Sequence, residues 1–329
     1  MRIGVLLLNL GGPARSEDVK PFLYNLFSDP EIIRLPVPFL QKPLAWLIST
    51  LRAPLSLKNY ASIGGKSPIK AITAQQGRVL KKTLARRGIE VKVYVGMRYW
   101  HPYTEAALTQ IKADGIEKLV VLPLYPQYSI STSGSSYKLL NQAWAEDPQL
   151  QQIERRDILS FYDRPGYIRG MVRLIHRELA KFEQPERVHI LFSAHGVPKS
   201  YVETGGDPYQ QQIEASVQLL TAALALPNRS SLAYQSKVGP VEWLQPYTED
   251  IIPRLARQGV TNLLTIPISF ISEHIETLQE IDIEYRHLAH ESGIPNFRRV
   301  RTLNIEPDFI NELALLVQEQ LDDRVLQPS

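Results

Sequence analysis

His195 closes the apolar run HILFSA and stands directly before Gly196 and Pro198. An imidazole at the carboxyl end of a strand lies where α/β proteins expose reactive groups, and it titrates close enough to neutrality for proton transfer or metal ligation. The plainer reading is a hydrogen-bonded core histidine. A second cluster lies in SEHIETLQEIDIEYRHL, Ser272 to Leu288. At about 100° per residue, Glu273, Glu276, Glu280, Glu284 and His287 fall in a stripe roughly 80° wide. A solvated glutamate face is the ordinary explanation. Against it, like charges at i,i+4 destabilise an exposed helix, and no Lys or Arg interleaves on the stripe. A carboxylate column suits a divalent cation or a proton relay.

Such side chains need strands to carry them. Short β-branched runs alternate with helical patterns along the chain, the signature of βαβ units and parallel sheets. The patterning predicts strands at Arg2–Asn9, Val91–Met97, Lys118–Leu124 and Gln152–Asp157, then at Arg187–Ser193, Ser231–Ser236, Asn262–Ser269 and Arg298–Asn304. Helices are expected between them, among them Ser67–Arg87, Pro165–Phe182 and Asp207–Leu226. The halves read as copies. Pro-Tyr-Thr-Glu starts at Pro102 and again at Pro246, and the same spacing carries Leu119 onto Leu263 and Pro123 onto Pro267. LLNLGGP, ending at Pro13, is similar to FSAHGVP, ending at Pro198. Two similar α/β domains are therefore expected, with a ligand cleft between them at the carboxyl ends of their strands. The copies differ in one respect. Where the first has Leu10 the second has His195, and where the first continues PQYSIST the second continues SFISEHIET. Ionisable residues mark the second copy as the seat of chemistry.

Composition narrows the field. Among 329 residues, 37 Lys and Arg oppose 34 Asp and Glu, and a net charge of +3 is too weak to imply nucleic acid. The absence of cysteine excludes disulfides, zinc–thiolate sites and a Cys-ligated iron–sulfur cluster. The opening MRIGVLLLNLGGP has no signal-peptide n-region, so a cytoplasmic location is expected. Leu35 to Pro54, LPVPFLQKPLAWLISTLRAP, is apolar but interrupted by proline and too short to cross about 30 Å of hydrocarbon. Edged by Lys42 and Arg52, it reads either as a membrane-surface segment or as a buried helix with a loop.

NLGGP and SIGGKSP (Ser62 to Pro68) are glycine-rich but fit neither GxGxxG nor GxxxxGK[ST]. GMRYWHP, from Gly96, and YPQYSISTSGSSY, from Tyr125, bring aromatics, hydroxyls and Arg98 to strand ends. That lining suits a flat aromatic ligand with peripheral carboxylates, core packing being the alternative for most of the tyrosines. LFSAHGVPKSYVETGGDPY, Leu191 to Tyr209, resembles the ferrochelatase signature: an SAHG turn, a Pro, a spacer, then G-D-x-Y. The resemblance continues in order through LNLGGP, YASIGGKSPI, YVGMRYWHP, YPQYSISTSGSS, YQSKVGPVEWLQP and SFISEHIETLQEIDIEY, covering essentially the whole chain. It is to the bacterial and cyanobacterial-type class without an iron–sulfur cluster.

The resemblance implies two similar Rossmann-like chelatase domains, each a four-stranded parallel sheet flanked by helices. The expected limits are 1–157 and 158–305, with 306–329 a C-terminal helix packing back on the first domain. It implies a lyase of haem biosynthesis that inserts Fe²⁺ into protoporphyrin IX, forming protohaem and releasing two protons. By position, His195 and Glu276 resemble the catalytic pair and the Fe²⁺ site, and which of them ligates iron and which takes the pyrrole protons stays open. Glu273, His274, Glu280 and Glu284 resemble supporting or relay residues. Leu10, Arg52, Tyr60, Ser67, Arg98, Tyr125 and Tyr128 resemble the porphyrin lining, with Arg52 a partner for a propionate. No cofactor is implied beyond Fe²⁺ as substrate and no nucleic acid; a monomer is expected, with a dimer as the alternative, and 35–54 as an apolar lip at a membrane surface. The alternatives are a coproporphyrin III ferrochelatase, a chelatase loading cobalt into another tetrapyrrole, and a non-catalytic carrier. The chemistry suits these residues: pyrrole N–H groups are weak acids that need a positioned base, and imidazole with carboxylates holds Fe²⁺ without trapping it.

Overall fold

The β-branched runs become eight strands in a computed structural model that describes residues 1–35 and 37–322. In the first sheet β1 (Ile3–Asn9), β2 (Lys92–Met97), β3 (Lys118–Pro123) and β4 (Glu154–Asp157) are parallel, in the order β2-β1-β3-β4. In the second, β5 (His189–His195), β6 (Ser230–Gln235), β7 (Asn262–Pro267) and β8 (Asn296–Arg299) repeat that order as β6-β5-β7-β8. Central strands of such sheets are covered on both faces, and Val5, Leu6, Leu7, Val120, Val121, Leu191, Leu264 and Ile266 are all buried completely.

The chain divides into one unit of Met1–Ser160 with the segment from Ile310, and a second of Phe161–Phe309. The first contains α1 (Val19–Phe27), α2 (Gln41–Ser62), α3 (Ile69–Arg86), α4 (Thr104–Ala113), α5 (Ser135–Glu146) and α6 (Pro148–Gln151). The second contains α7 (Pro165–Leu179), α8 (Lys199–Glu203), α9 (Tyr209–Leu224), α10 (Thr248–Arg257), a π-helix (Glu276–Tyr285) and α11 (Arg286–Ser292). Last comes α12 (Pro307–Leu321), and Arg87 donates hydrogen bonds to the Asn311 carbonyl and the Gln318 side chain along it. The expected limits at 157/158 and 305/306 thus fall a few residues before the observed ones.

The internal repeat is visible in the pairing. Leu8 stands opposite Pro123 and Ser193 opposite Pro267, so Leu10 and His195 hold corresponding positions. Both Pro-Tyr-Thr-Glu segments begin with a cis X–Pro bond. In both, the proline carbonyl accepts from a strand N–H: Pro102 from Met97 at 2.7 Å, Pro246 from Tyr234 at 2.8 Å.

Two sequence expectations shift. β5 runs two residues beyond Ser193, so His195 is the strand's last residue, paired with Gln235. β8 ends at Arg299 rather than Asn304: beyond it only Val300 N still donates to Thr265 O, and the chain then turns at Asn304 (φ 46°), whose N–H donates to Ile271 O. Within Leu35–Pro54 the chain forms a helix with one face buried, through Gln41, Ala45, Ser49 and Ala53, and an apolar face exposed. Helix α2 takes Pro43 in its first turn, where N–H groups have no helical partner, and continues through Pro54. Phe39 is 78% exposed, Trp46 57%, Leu51 71% and Leu55 59%. No helix among the described residues is long and apolar enough to cross a membrane.

Candidate functional site

Three strands of the second sheet deliver site residues at their carboxyl ends, the edge where open parallel sheets bind ligands. His195 ends β5, Ser236 follows β6, and Ser269, His274 and Glu276 follow β7. The His195 peptide is gripped on both sides. Its N–H donates to Ser269 Oγ at 3.0 Å, Ser269 Oγ and Tyr209 Oη are 2.7 Å apart, and Tyr209 Oη donates to the His195 carbonyl at 2.8 Å. With Ser269 as donor to Tyr209, three hydrogen bonds close a ring through the N–H and the carbonyl of one residue, His195. Asp207 Oδ1 accepts from Tyr209 N at 3.0 Å, which gives the G-D-x-Y motif its local purpose.

The imidazole reaches Glu276. Nδ1 lies 2.9 Å from Glu276 Oε2, with the two side chains 32% and 23% exposed. Trp243 and Phe270 stand edge-on to the ring, with centroids 6.3 and 6.2 Å away. Burial disfavours charge on both groups, but mutual attraction outweighs it: His195 is raised above the usual histidine value, and Glu276 is brought down to about 2. Glu280 behaves oppositely. Burial and the neighbouring Glu276 charge lift it up to about 7, although it accepts from Ser236 N (2.9 Å), Ser236 Oγ (2.6 Å), Gln235 Nε2 (3.0 Å) and Tyr285 Oη (2.9 Å). The site therefore pairs a standing anion, beside an imidazole that it makes more basic, with a second carboxyl that exchanges its proton near neutrality.

Of the predicted relay positions, Glu273 and Glu284 stand away from the pair, and His274 stands beside it without a hydrogen bond to it. Glu276 to Tyr285 forms i→i+5 rather than i→i+4 bonds, so the stripe drawn for an α-helix does not hold. In the wider turn Tyr285, not Glu284, stacks on Glu280; Glu284 and His287 are exposed, and His287 pairs with Glu291. Glu273 precedes the helix, and both its oxygens face the Arg299 guanidinium at 3.0 Å. His274 Nε2 is 3.9 Å from Glu276 Oε2, beyond hydrogen-bond range, while its Nδ1 is buried without a partner; burial lowers its pKa. No group of three or more His, Asp or Glu among the described residues has metal-site geometry.

In the first unit, Leu10 follows β1 and is half-buried. Its glycine neighbours are required: a Cβ on Gly12 would lie 2.7 Å from Ser67 Cβ and Oγ, and Gly11 has φ 89°. Ser67 N donates to Pro13 O at 2.9 Å, so NLGGP and SIGGKSP are packed on each other. Arg98 is held within a buried network: Asp29 Oδ2 accepts from Arg98 Nη2 (2.8 Å), Tyr99 Oη (2.7 Å) and Ser135 Oγ. Arg52 lies over the Phe27 ring at 5.7 Å, Tyr60 is buried on α2, and Tyr125 and Tyr128 follow β3, both half-buried.

Sequence reasoning passed over Ser236, Gln235, Ser269, Tyr209 and Tyr285. Tyr209 had a signal in its motif. Ser236 did not, because a serine at φ 65° looks like any other in a sequence; a non-glycine residue held in that region marks a place where geometry outweighs local preference.

Comparison with known proteins places the chain in a family. A sequence profile of the ferrochelatase family matches residues 2–321. A ferrochelatase of Gloeobacter violaceus is 67% identical over 97% of this chain and 98% of its own. One of Nostoc punctiforme is 63% identical over 97% of this chain and 82% of its own. Among solved structures, SirB from Bacillus subtilis with Fe³⁺ superposes with a TM-score of 0.56 at 12% identity, covering 98% of this chain and 97% of its own. CbiX, a terminal enzyme of sirohaem biosynthesis in denitrifying bacteria, gives 0.51 at 12% identity over 98% and 100%. These two likenesses speak for the fold, and the sequence matches for the family: the chain belongs to the ferrochelatases, enzymes that place Fe²⁺ in a porphyrin.

Proposed function

We propose that the porphyrin is protoporphyrin IX, and that His195 and Glu276 form the site at which Fe²⁺ enters it with release of two protons. The observation that carries this is the 2.9 Å contact between His195 Nδ1 and Glu276 Oε2 at the carboxyl edge of the second sheet. Glu276 stays anionic and offers a hard oxygen donor to Fe²⁺. His195 sheds its proton before it can ligate or accept. Glu280, poised near neutrality and joined to Glu276 through Ser236, is the acceptor that passes protons to solvent. Leu10, Tyr60, Ser67, Tyr125 and Tyr128 serve the macrocycle, and Arg52 a propionate.

The test is anaerobic insertion of Fe²⁺ into protoporphyrin IX, followed by the Soret and Q-band shift, for the wild type beside His195→Ala and Glu276→Gln. Metallation by the wild type, with both variants binding porphyrin but not turning over, supports the assignment. Turnover of coproporphyrin III or Co²⁺ alone would move the substrate. Binding without any turnover would leave a carrier.

Peripheral contact of a cytoplasmic monomer with a membrane surface belongs to the same reading. Besides the exposed apolar side chains around α2, residues Ile32 to Ile89 hold eleven Lys and Arg and no Asp or Glu, a composition that favours anionic lipid. Co-sedimentation with phosphatidylglycerol but not phosphatidylcholine vesicles, lost in Trp46→Ser/Leu51→Ser, tests the contact. Light scattering after size exclusion tests the monomer.

A further inference from the structure

We infer that Arg299 is a positioning residue for iron insertion: it ties the segment just before the π-helix to the helix's second half and so seats the Glu276 carboxylate against His195. Arg299 touches neither His195, Glu276 nor Glu280. Its side chain is 6% exposed, and its polar partners are two carboxylates and one carbonyl. Nη1 donates to Glu273 Oε1 and Oε2, both at 3.0 Å, while Nε and Nη2 donate to Asp282 Oδ2 at 3.0 and 2.8 Å. Glu273 stands just before the π-helix and Asp282 in its second half, so Glu276 and Glu280 lie on the span between the two anchors. Each anchor is fixed a second time. Glu273 also accepts from Thr302 N at 3.0 Å and from Thr277 Oγ1, and Asp282 Oδ1 accepts from Arg286 Nη2 at 2.6 Å. Arg299 itself is the last residue of β8, opposite Thr265 in β7, so the brace is tied to the sheet that carries His195.

A run of i→i+5 bonds this long is uncommon because i→i+4 closure competes with it at every turn. Changing the closure would turn Glu276 and Glu280 relative to each other and alter the separation of residues 273 and 282. A guanidinium fork gripping both carboxylates selects one separation. Lysine offers the same charge at a single point and cannot hold both in fixed geometry.

This inference rests on the reading that Glu276 works at the iron site, so Glu276→Gln is assayed beside the brace variants. Arg299→Lys is compared with the wild type and with Arg298→Gln, a neighbouring half-buried arginine that faces Phe182 and Glu178 instead. Turnover is expressed per porphyrin-binding site by fluorescence titration, and the His195 ring is followed by ¹³Cε1 NMR. Arg299→Lys is expected to lower kcat at least about tenfold, leave the porphyrin KM within about twofold and shift the His195 resonance, with Arg298→Gln unchanged. Asp282→Asn removes one arm while keeping Arg299 on Glu273. It covers the case in which Arg299→Lys does not fold, with an expected loss in the same direction. A merely structural role would lower the number of binding sites and leave kcat per site and the His195 resonance alone. That result in a folded variant overturns the inference. If Glu276→Gln itself keeps full turnover, the site reading has failed instead, and the brace with it.

Discussion

The Glu276→Gln substitution keeps the shape of the side chain and removes its charge, so it isolates the electrostatics of the pair. In the wild type, Glu276 is brought from 4.5 down to about 2 against the opposing effect of burial, with His195 the main cause. At about 1.4 kcal/mol per unit this is a preference of order 3 kcal/mol for the ionised pair. Removing the carboxylate leaves His195 with its burial, which lowers its pKa, and only the more distant Glu280 to raise it. The His195 midpoint is then expected to fall from above 6.5 to below it. Glu280, relieved of a like charge, relaxes from about 7 toward the ordinary carboxylate range. The assay is a ¹³Cε1 titration of the seven histidines, with His195 assigned by its loss in His195→Ala. Iron insertion, measured in parallel, drops by about a hundredfold or more. Linkage fixes the sign for stability. A raised His195 stabilises the fold below 6.5, and this is lost as pH rises through its folded value; a lowered Glu276 stabilises it above 4.5, and this is lost as pH falls toward about 2. The wild type should therefore exceed the variant most between those two pH values. A His195 midpoint that does not move in Glu276→Gln would refute the account of the pair.

Other substitutions test other parts of the structure. Tyr209→Phe opens the ring of hydrogen bonds around the His195 peptide; it should cost about 1 kcal/mol in urea unfolding and reduce kcat while porphyrin binding persists. Asp29→Asn leaves Arg98 without its anion and should destabilise by about 3 kcal/mol. Burial alone would raise the Asp29 pKa, yet Ser135 and Arg98 bring it below 3.8, so the wild-type advantage should fade only as pH falls below that value, as thermal scans in acid would record. Gly12→Ala places a methyl 2.7 Å from Ser67, displacing SIGGKSP from NLGGP at a cost of about 1–3 kcal/mol, and is expected to weaken porphyrin binding in a fluorescence titration.

What the sequence made legible was whatever depends on period and position. Eight strands could be placed because alternation and β-branching are local, and the repeat was readable because Pro-Tyr-Thr-Glu keeps its distance from the following strand in both halves. His195 was found by chemical type at a strand end, and the family resemblance picked Glu276 out of the glutamate stripe as its partner. Their contact was not visible, since it joins residues of β5 and the segment after β7 through the fold alone. The π-helix escaped because an i→i+5 run has no pattern distinct from an α-helix in so short a span, and with it went the places of Glu284 and His287. Glu273 looked like one more glutamate in a column. Only the arrival of Arg299 from the far strand gives it another task.

The matching strand order of the two sheets carries a consequence for how this chain could specialise. Had a single copy been used twice, as in a symmetric dimer, every substitution would appear at both places: a histidine at the end of one central strand would entail its twin. Encoding the copies in tandem removes that constraint. Leu10 and His195 occupy corresponding points of the same topology, and each could be chosen without regard to the other. One copy was free to become apolar there while the other gathered an imidazole, two glutamates and the hydroxyls that hold them. The two halves thereby differ in chemistry while sharing one topology, which two identical copies could not do.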